Sequence, residues 1–113
     1  MNRLLAILIL TLFSAAMAQA TVGINLELSG RLSTIGIPTW QGIEVALTQL
    51  NTDVTLSVCD NASTVEGSVA CANRFVDEGV VAVLGAIGSS ISIPAAEVLQ
   101  EAEVIMISTS STN

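Results

Sequence analysis

Four short, nearly unbroken apolar runs alternate with three segments of helical periodicity, and this alternation constrains the fold more than any other feature of the chain. Apolar runs of this length are typical of parallel strands that are covered on both faces. Strands that alternate with helices form a parallel sheet through right-handed crossovers. The order β-α-β-α-β-α-β therefore predicts an α/β fold in which a parallel sheet carries helices on both faces.

The predicted elements follow one another with short connections. Pro38 suits the first turn of the first helix, after a loop at residues 31–38. Gly79 suits the position just after the second helix, where a left-handed backbone is common. The predicted strands are residues 22–28, 54–59, 80–84 and 104–107, and the predicted helices are residues 38–50, 65–78 and 91–102.

Small or polar segments follow all four predicted strands. They are Ser29-Gly30, Asp60-Asn61, residues 85–90 and residues 108–113. In open parallel sheets, ligands bind at the carboxyl ends of the strands, beside the point where the strand order reverses. We therefore expect these four segments to form one rim around a binding site.

Ser89 and Ser90 lie where the third helix is expected to begin. The first turn of a helix has N–H donors without partners and a partial positive charge, so a small anion such as a carboxylate is held well there. The alternative is that one of these serines simply caps the helix, because serine is a common N-cap residue.

The first twenty residues predict a secretory signal peptide that is cleaved after Ala20. Arg3 precedes an apolar run, and Ala18-Gln19-Ala20 has the A-x-A pattern of a cleavage site. The run is too short for a stable membrane span. The remaining 93 residues, 21–113, are enough for one small domain or for part of a larger one.

The exported part of the chain is strongly acidic. Arg31 and Arg74 are its only basic residues, against ten acidic ones. Phosphate binding needs clustered Lys and Arg, so nucleic acid is excluded as a partner.

Catalysis has few candidate groups. The chain contains no His, Tyr or Lys, which excludes a Ser-His-Asp triad, a Ser-Lys dyad and a P-loop within it. Glu27, Asp60 and Glu66 are carboxylates that could meet, although Asp60 more plausibly orders a loop and Glu66 suits a first helical turn. We therefore expect no enzyme activity, no cofactor and no metal site.

Cys59 and Cys71 are the only cysteines, and an exported chain permits a bridge between them. The alternative is two buried thiols, one at the end of a core strand and one on the flank of a helix.

Five short patterns, in this order and spacing, resemble one family. They are residues 28–30 with Gly36, residues 42–46 with Asn51, Asp60 with the helix that ends in residues 75–80, residues 85–90 with Pro94, and residues 107–108 with Thr112 and Asn113. The family is the periplasmic solute-binding proteins of branched-chain amino-acid ABC transporters, the leucine/isoleucine/valine-binding type, which have the type I periplasmic binding fold.

The resemblance implies two lobes that close on an amino acid, the first of which holds the α-carboxylate and α-ammonium. It implies ligand contacts from Ser89, with Ser90 beside it, and from Ser110 and Thr112 after the fourth strand. Ile35 occupies a position where an aromatic residue often packs on the ligand. Ser63 and Gly88 stand where the family's cysteine pair falls, so the resemblance gives no support to a Cys59–Cys71 bridge.

Members of that family are much longer than this chain, so residues 21–113 would form the N-terminal part of the first lobe, without the second. The expected function is ligand capture in the periplasm for an ABC permease. The alternatives are a ligand-sensing receptor domain, an amide- or urea-binding protein, a non-functional fragment, and an exported α/β hydrolase whose histidine and nucleophile lie downstream.

Overall fold

The computed structural model describes residues 19–112, so the predicted signal peptide lies outside the described residues except for Gln19 and Ala20. The element order is β-α-β-α-β-α-β, as predicted. The strands are β1 (Thr21–Leu26), β2 (Thr55–Asp60), β3 (Ala82–Gly85) and β4 (Ile105–Ile107), and the helices are α1 (Ser33–Leu50), α2 (Val65–Glu78) and α3 (Ser89–Glu101).

The four strands form one parallel sheet in the order β2-β1-β3-β4. The chain moves from β1 to β2 on one side and then returns to place β3 on the other side of β1. The strand order therefore reverses between β1 and β3, which is the point where a ligand crevice opens in sheets of this kind.

Helices cover both faces of the sheet, as predicted. On one face, Trp40 and Ile43 of α1 pack against a buried cluster formed by Ile24, Leu26 and Ile87. On the other face, α2 and α3 form a larger cluster with β3, in which the buried residues are Cys71, Ala72, Phe75, Val80, Val83, Ala95 and Leu99.

Two contacts hold α2 close to the sheet. Gly23 of β1 lies directly under the Phe75 ring, and a Cβ atom at this position would be only 2.8 Å from the ring. Cys59 of β2 and Cys71 of α2 form a disulfide with their Cα atoms 5.8 Å apart. The bridge, rather than the pair of buried thiols, is therefore correct.

The first helix begins earlier than predicted. It starts at Ser33, so Pro38 lies inside the helix rather than in its first turn. The start is fixed by Leu32, whose carbonyl accepts hydrogen bonds from the N–H groups of Ile35 and Gly36. Leu50, the last residue of the helix, is 69% exposed, although the spacing of apolar residues along the helix would favour its burial.

β4 forms one edge of the sheet, and its Ile105 and Ile107 are exposed. Among residues 19–112, no helix combines the length and the apolar character that crossing a membrane requires.

Candidate ligand-binding site

The carboxyl ends of β1 and β3 open onto a rim that two further segments complete. Glu27 follows β1, and residues 86–88 connect β3 to α3. The loop after β2 and the segment after β4 lie beside them, because parallel strands end at the same edge of the sheet. This is the rim that the sequence predicts.

The start of α3 differs from the simplest expectation. Gly88 is the N-cap residue, with φ −77° and ψ 128°, and no side chain caps the helix. The N-cap role considered for Ser89 or Ser90 is therefore wrong. Both serines lie in the first helical turn, where N–H groups have no intrahelical acceptor, and no hydrogen bond between residues 19–112 uses these two N–H groups.

The segment after β4 folds back onto the start of α3 through serine hydroxyls. Ser108 Oγ donates to the Ala86 carbonyl at 2.7 Å and accepts from Ser111 N–H at 3.0 Å. Ser111 Oγ lies 2.5 Å from Ser92 Oγ and donates to the Ile87 carbonyl at 3.3 Å. These contacts fix the backbone of residues 108–111 against the turn between β3 and α3.

Two of the predicted site residues meet as a result. Thr112 N–H donates to Ser89 Oγ at 3.2 Å, so the end of the described chain lies against the first residue of α3. Ser90 and Ser110 are exposed, and neither side chain makes a hydrogen bond within residues 19–112. Their hydroxyls are open to solvent.

Ile35 lies in the first turn of α1 and is 50% exposed. The start of α1 borders the rim, because a Cβ atom on Gly88 would be 3.2 Å from Leu32 Cδ1.

Ser92, Ser108 and Ser111 were not predicted as site residues. Two of them lie in residues 108–113, which the sequence places on the rim as a segment, but a run of hydroxyl residues is equally typical of a solvated chain end.

Glu27 is the least expected feature of the rim. Its side chain is 0% exposed, and its two carboxylate oxygens each accept from Ile87 N–H at 3.1 Å. Oε1 also accepts from Gly88 N–H at 3.2 Å. The carboxylate therefore lies directly before the N-terminus of α3, which favours negative charge.

Asp60 organises the loop beside β1. Its Oδ1 accepts from the N–H groups of Leu28 and Ser29, each at 3.1 Å, and of Ala62 at 2.9 Å. Burial by itself raises the pKa of the Asp60 carboxyl, but the hydrogen bonds from Ser29, Ala62 and Leu28 outweigh this effect and hold the pKa below its ordinary value. The predicted loop-ordering role of Asp60 is confirmed.

A buried amide network supports the same loop from below. Asn25 Nδ2 donates to the carbonyl and to Oγ of Ser68, at 3.1 and 3.0 Å, and Asn25 Oδ1 accepts from Asn61 Nδ2 at 3.0 Å. Asn61 Oδ1 in turn accepts from Ser63 N–H. The loop after β2 is therefore tied to β1 and α2 by paired polar groups, which is what burial of such groups requires.

A cavity of about 170 Å³ lies beside the rim, between α3 and β4. It is lined by Ser92, Ile93, Ala96, Met106, Ser108 and Ser111. A larger depression of about 490 Å³ lies on the outer face of α1. Within residues 19–112 only α1 lines that depression, whereas several elements build the rim, so the rim is the stronger candidate site.

Residues 19–113 match the sequence profile of the family described as periplasmic binding protein. The chain belongs to this family. A similar relative is the Leu/Ile/Val-binding protein homolog 2 of Brucella abortus, which is 31% identical over 103 residues, covering 85% of this chain and 28% of the relative.

Solved structures of the same class share the fold. The leucine-binding protein LivK of Thermotoga maritima has a TM-score of 0.79 and 29% identity, over 83% of this chain and 28% of LivK. LivJ of Streptococcus pneumoniae, solved in complex with isoleucine, has a TM-score of 0.80 and 25% identity, over 84% of this chain and 30% of LivJ. The chain thus spans less than a third of the length of these periplasmic binding proteins.

Proposed function

We propose that this chain is the N-terminal part, residues 21–113, of the first lobe of a solute-binding protein that captures a branched-chain amino acid for an ABC importer. The signal peptide would be cleaved after Ala20, and capture would take place in the periplasm. The observation that carries the proposal is the contact between Ser89 and Thr112 at the start of α3, beside the reversal of strand order between β1 and β3. The relatives support the class of ligand, because LivJ was solved with isoleucine.

The rim has the groups that a ligand carboxylate needs. The first turn of α3 contributes the N–H groups of Ser89 and Ser90, and we propose that the hydroxyls of Ser89, Ser110 and Thr112 add further hydrogen-bonding groups. Hydrogen bonds from such donors to a carboxylate are charge-assisted and are stronger than neutral ones. Ile35, which is half exposed at the start of α1, supplies apolar surface for the ligand side chain.

In this mechanism the chain binds and does not react. The ligand replaces water on the open donors of the rim, a second lobe closes over it, and the membrane permease recognises the closed form. The role of the described residues is to hold the ligand backbone in a fixed orientation before closure.

The proposal is tested on the full-length gene product by isothermal titration with leucine, isoleucine and valine. We expect the double variant Ser89→Ala, Thr112→Ala to bind at least about tenfold more weakly, since hydrogen bonds to a charged group are lost. Thr48→Ala, which removes an exposed hydroxyl on the outer face of α1, is the matched control and should bind normally. Equal affinities of the wild type and the double variant would contradict the proposed site.

A further inference from the structure

We propose that Glu27 is a specificity-determining residue, which makes the rim beside Ser89 select zwitterionic ligands over simple carboxylate anions. The proposal rests on the proposed function and adds to it the charge type that the site accepts. The start of α3 is the candidate site for the ligand carboxylate. The carboxylate of Glu27 already lies directly before this helix start.

Backbone donors hold the Glu27 carboxylate. Both carboxylate oxygens accept hydrogen bonds from backbone N–H groups, at 3.1 and 3.2 Å. The positive end of α3 stabilises the same charge.

Glu27 forms no salt bridge among residues 19–112. Arg74 pairs with Glu78 on α2 at 3.2 Å and lies over the Phe75 ring. Arg31 is exposed at the surface. Within the described residues the Glu27 carboxylate is therefore held by the backbone N–H groups of Ile87 and Gly88 and not by an ion pair.

A ligand carboxylate at Ser89 would share this helix start with Glu27, because Ser89 directly follows Gly88. Two carboxylates at such short range repel each other, and the low dielectric of a closed site strengthens the repulsion. An amino acid brings its own ammonium group, which offsets the repulsion. A simple carboxylate brings only the second negative charge, so the rim should reject it.

A purely structural role for Glu27 makes a different prediction. If the carboxylate only held the turn between β3 and α3, its loss would weaken the binding of every ligand by the same factor. The ratio of two affinities therefore separates the two roles, whereas a single affinity does not.

The test compares leucine with isocaproate, which is leucine without its ammonium group, on the full-length gene product. In the Glu27→Gln variant we expect the preference for leucine over isocaproate to fall by about tenfold, since one charge is removed from the site. Glu66→Gln is the matched control, because it makes the same change in the first turn of α2, where the side chain is exposed. The preference should be unchanged in this control.

The outcomes distinguish the two proposals. If the wild type binds leucine, but the wild type and Glu27→Gln have the same preference for leucine over isocaproate, the role of Glu27 is overturned and the proposed function is not. A wild type that binds no amino acid would overturn the proposed function and this inference with it.

A second measurement covers the case in which Glu27→Gln does not fold. The wild type alone then tests the inference, by isothermal titration with leucine and with isocaproate. Leucine should bind more tightly, and equal affinities for the two ligands would overturn the inference.

Discussion

Buried polar residues beneath the rim stabilise the folded state through their hydrogen bonds, and Asn25 is the clearest case. Its side chain is 0% exposed and makes three hydrogen bonds, to Ser68 and Asn61. Asn25→Ala should lower the free energy of unfolding by about 2–4 kcal/mol, because it leaves buried partners without hydrogen bonds. Urea denaturation measures the effect. Asn73→Ala, at an exposed site on α2, is the control and should change stability by less than about 0.5 kcal/mol. Similar losses in the two variants would contradict this account.

Asp60 gives the rim a dependence on pH. Hydrogen bonds to the ionised form lower the pKa of Asp60 in the folded state, so this carboxylate stabilises the fold above its unfolded pKa of about 4. The contribution is lost as the pH falls through the lowered folded value. Wild type should therefore be more stable than Asp60→Asn at neutral pH, with a difference that shrinks in acid. Denaturation across an acid pH series measures it, and a difference independent of pH would refute the assignment.

At the scale of the elements, the disulfide joins β2 to α2 across 12 positions. Reducing it should lower the free energy of unfolding by about 2–3 kcal/mol, since a short loop is released in the unfolded chain. Thermal denaturation with and without reductant measures this loss. The double variant Cys59→Ser, Cys71→Ser should match the reduced wild type and should not respond to reductant. A wild type that is insensitive to complete reduction would show that the bridge contributes nothing.

The packing of α2 on β1 depends on the lack of a side chain at Gly23. Gly23→Ala would place a methyl group 2.8 Å from the Phe75 ring, and displacing the ring should cost about 1–3 kcal/mol. Gly42→Ala on α1 is the matched control, because nothing lies within 4 Å of the added methyl group. That change should stabilise the protein by up to about 1 kcal/mol, since alanine favours a helix. Chemical denaturation of both variants should show opposite signs, and a neutral Gly23→Ala would be inconsistent with the packing described.

The helix that the sequence predicted well, α2, has recognisable capping residues at both ends. Gly79 ends α2 in the left-handed conformation, and Thr64 caps its start by accepting from Gly67 N–H. The start of α1 has no such signal, because the side chain of Leu32 makes no capping bond. The helix instead begins where Gly36 lies tight against the Glu27 carbonyl, a tertiary contact. The contact of Glu27 with Ile87, in the turn before α3, spans 60 residues and leaves no pattern in the chain.

For the whole molecule, alternation along the sequence predicts a parallel sheet, but it does not fix the strand order. The order β2-β1-β3-β4 depends on long-range pairing, and it is this order that places the crevice between β1 and β3. The segments that contain Ser89 and Thr112 were predictable as parts of the rim, because each segment follows a strand and strands of a parallel sheet end together. Thr112 itself was named only through the family resemblance. The negative charge of Glu27 inside the rim was not predictable, since it depends on how the loops fold over that edge.

The most direct test of the central claim is a crystal structure of the full-length gene product with a bound branched-chain amino acid. The account predicts a ligand carboxylate within hydrogen-bond distance of Ser89 and Thr112, at the start of α3 and beside the ends of β1 and β3. A ligand bound elsewhere, for example on the outer face of α1, would contradict it.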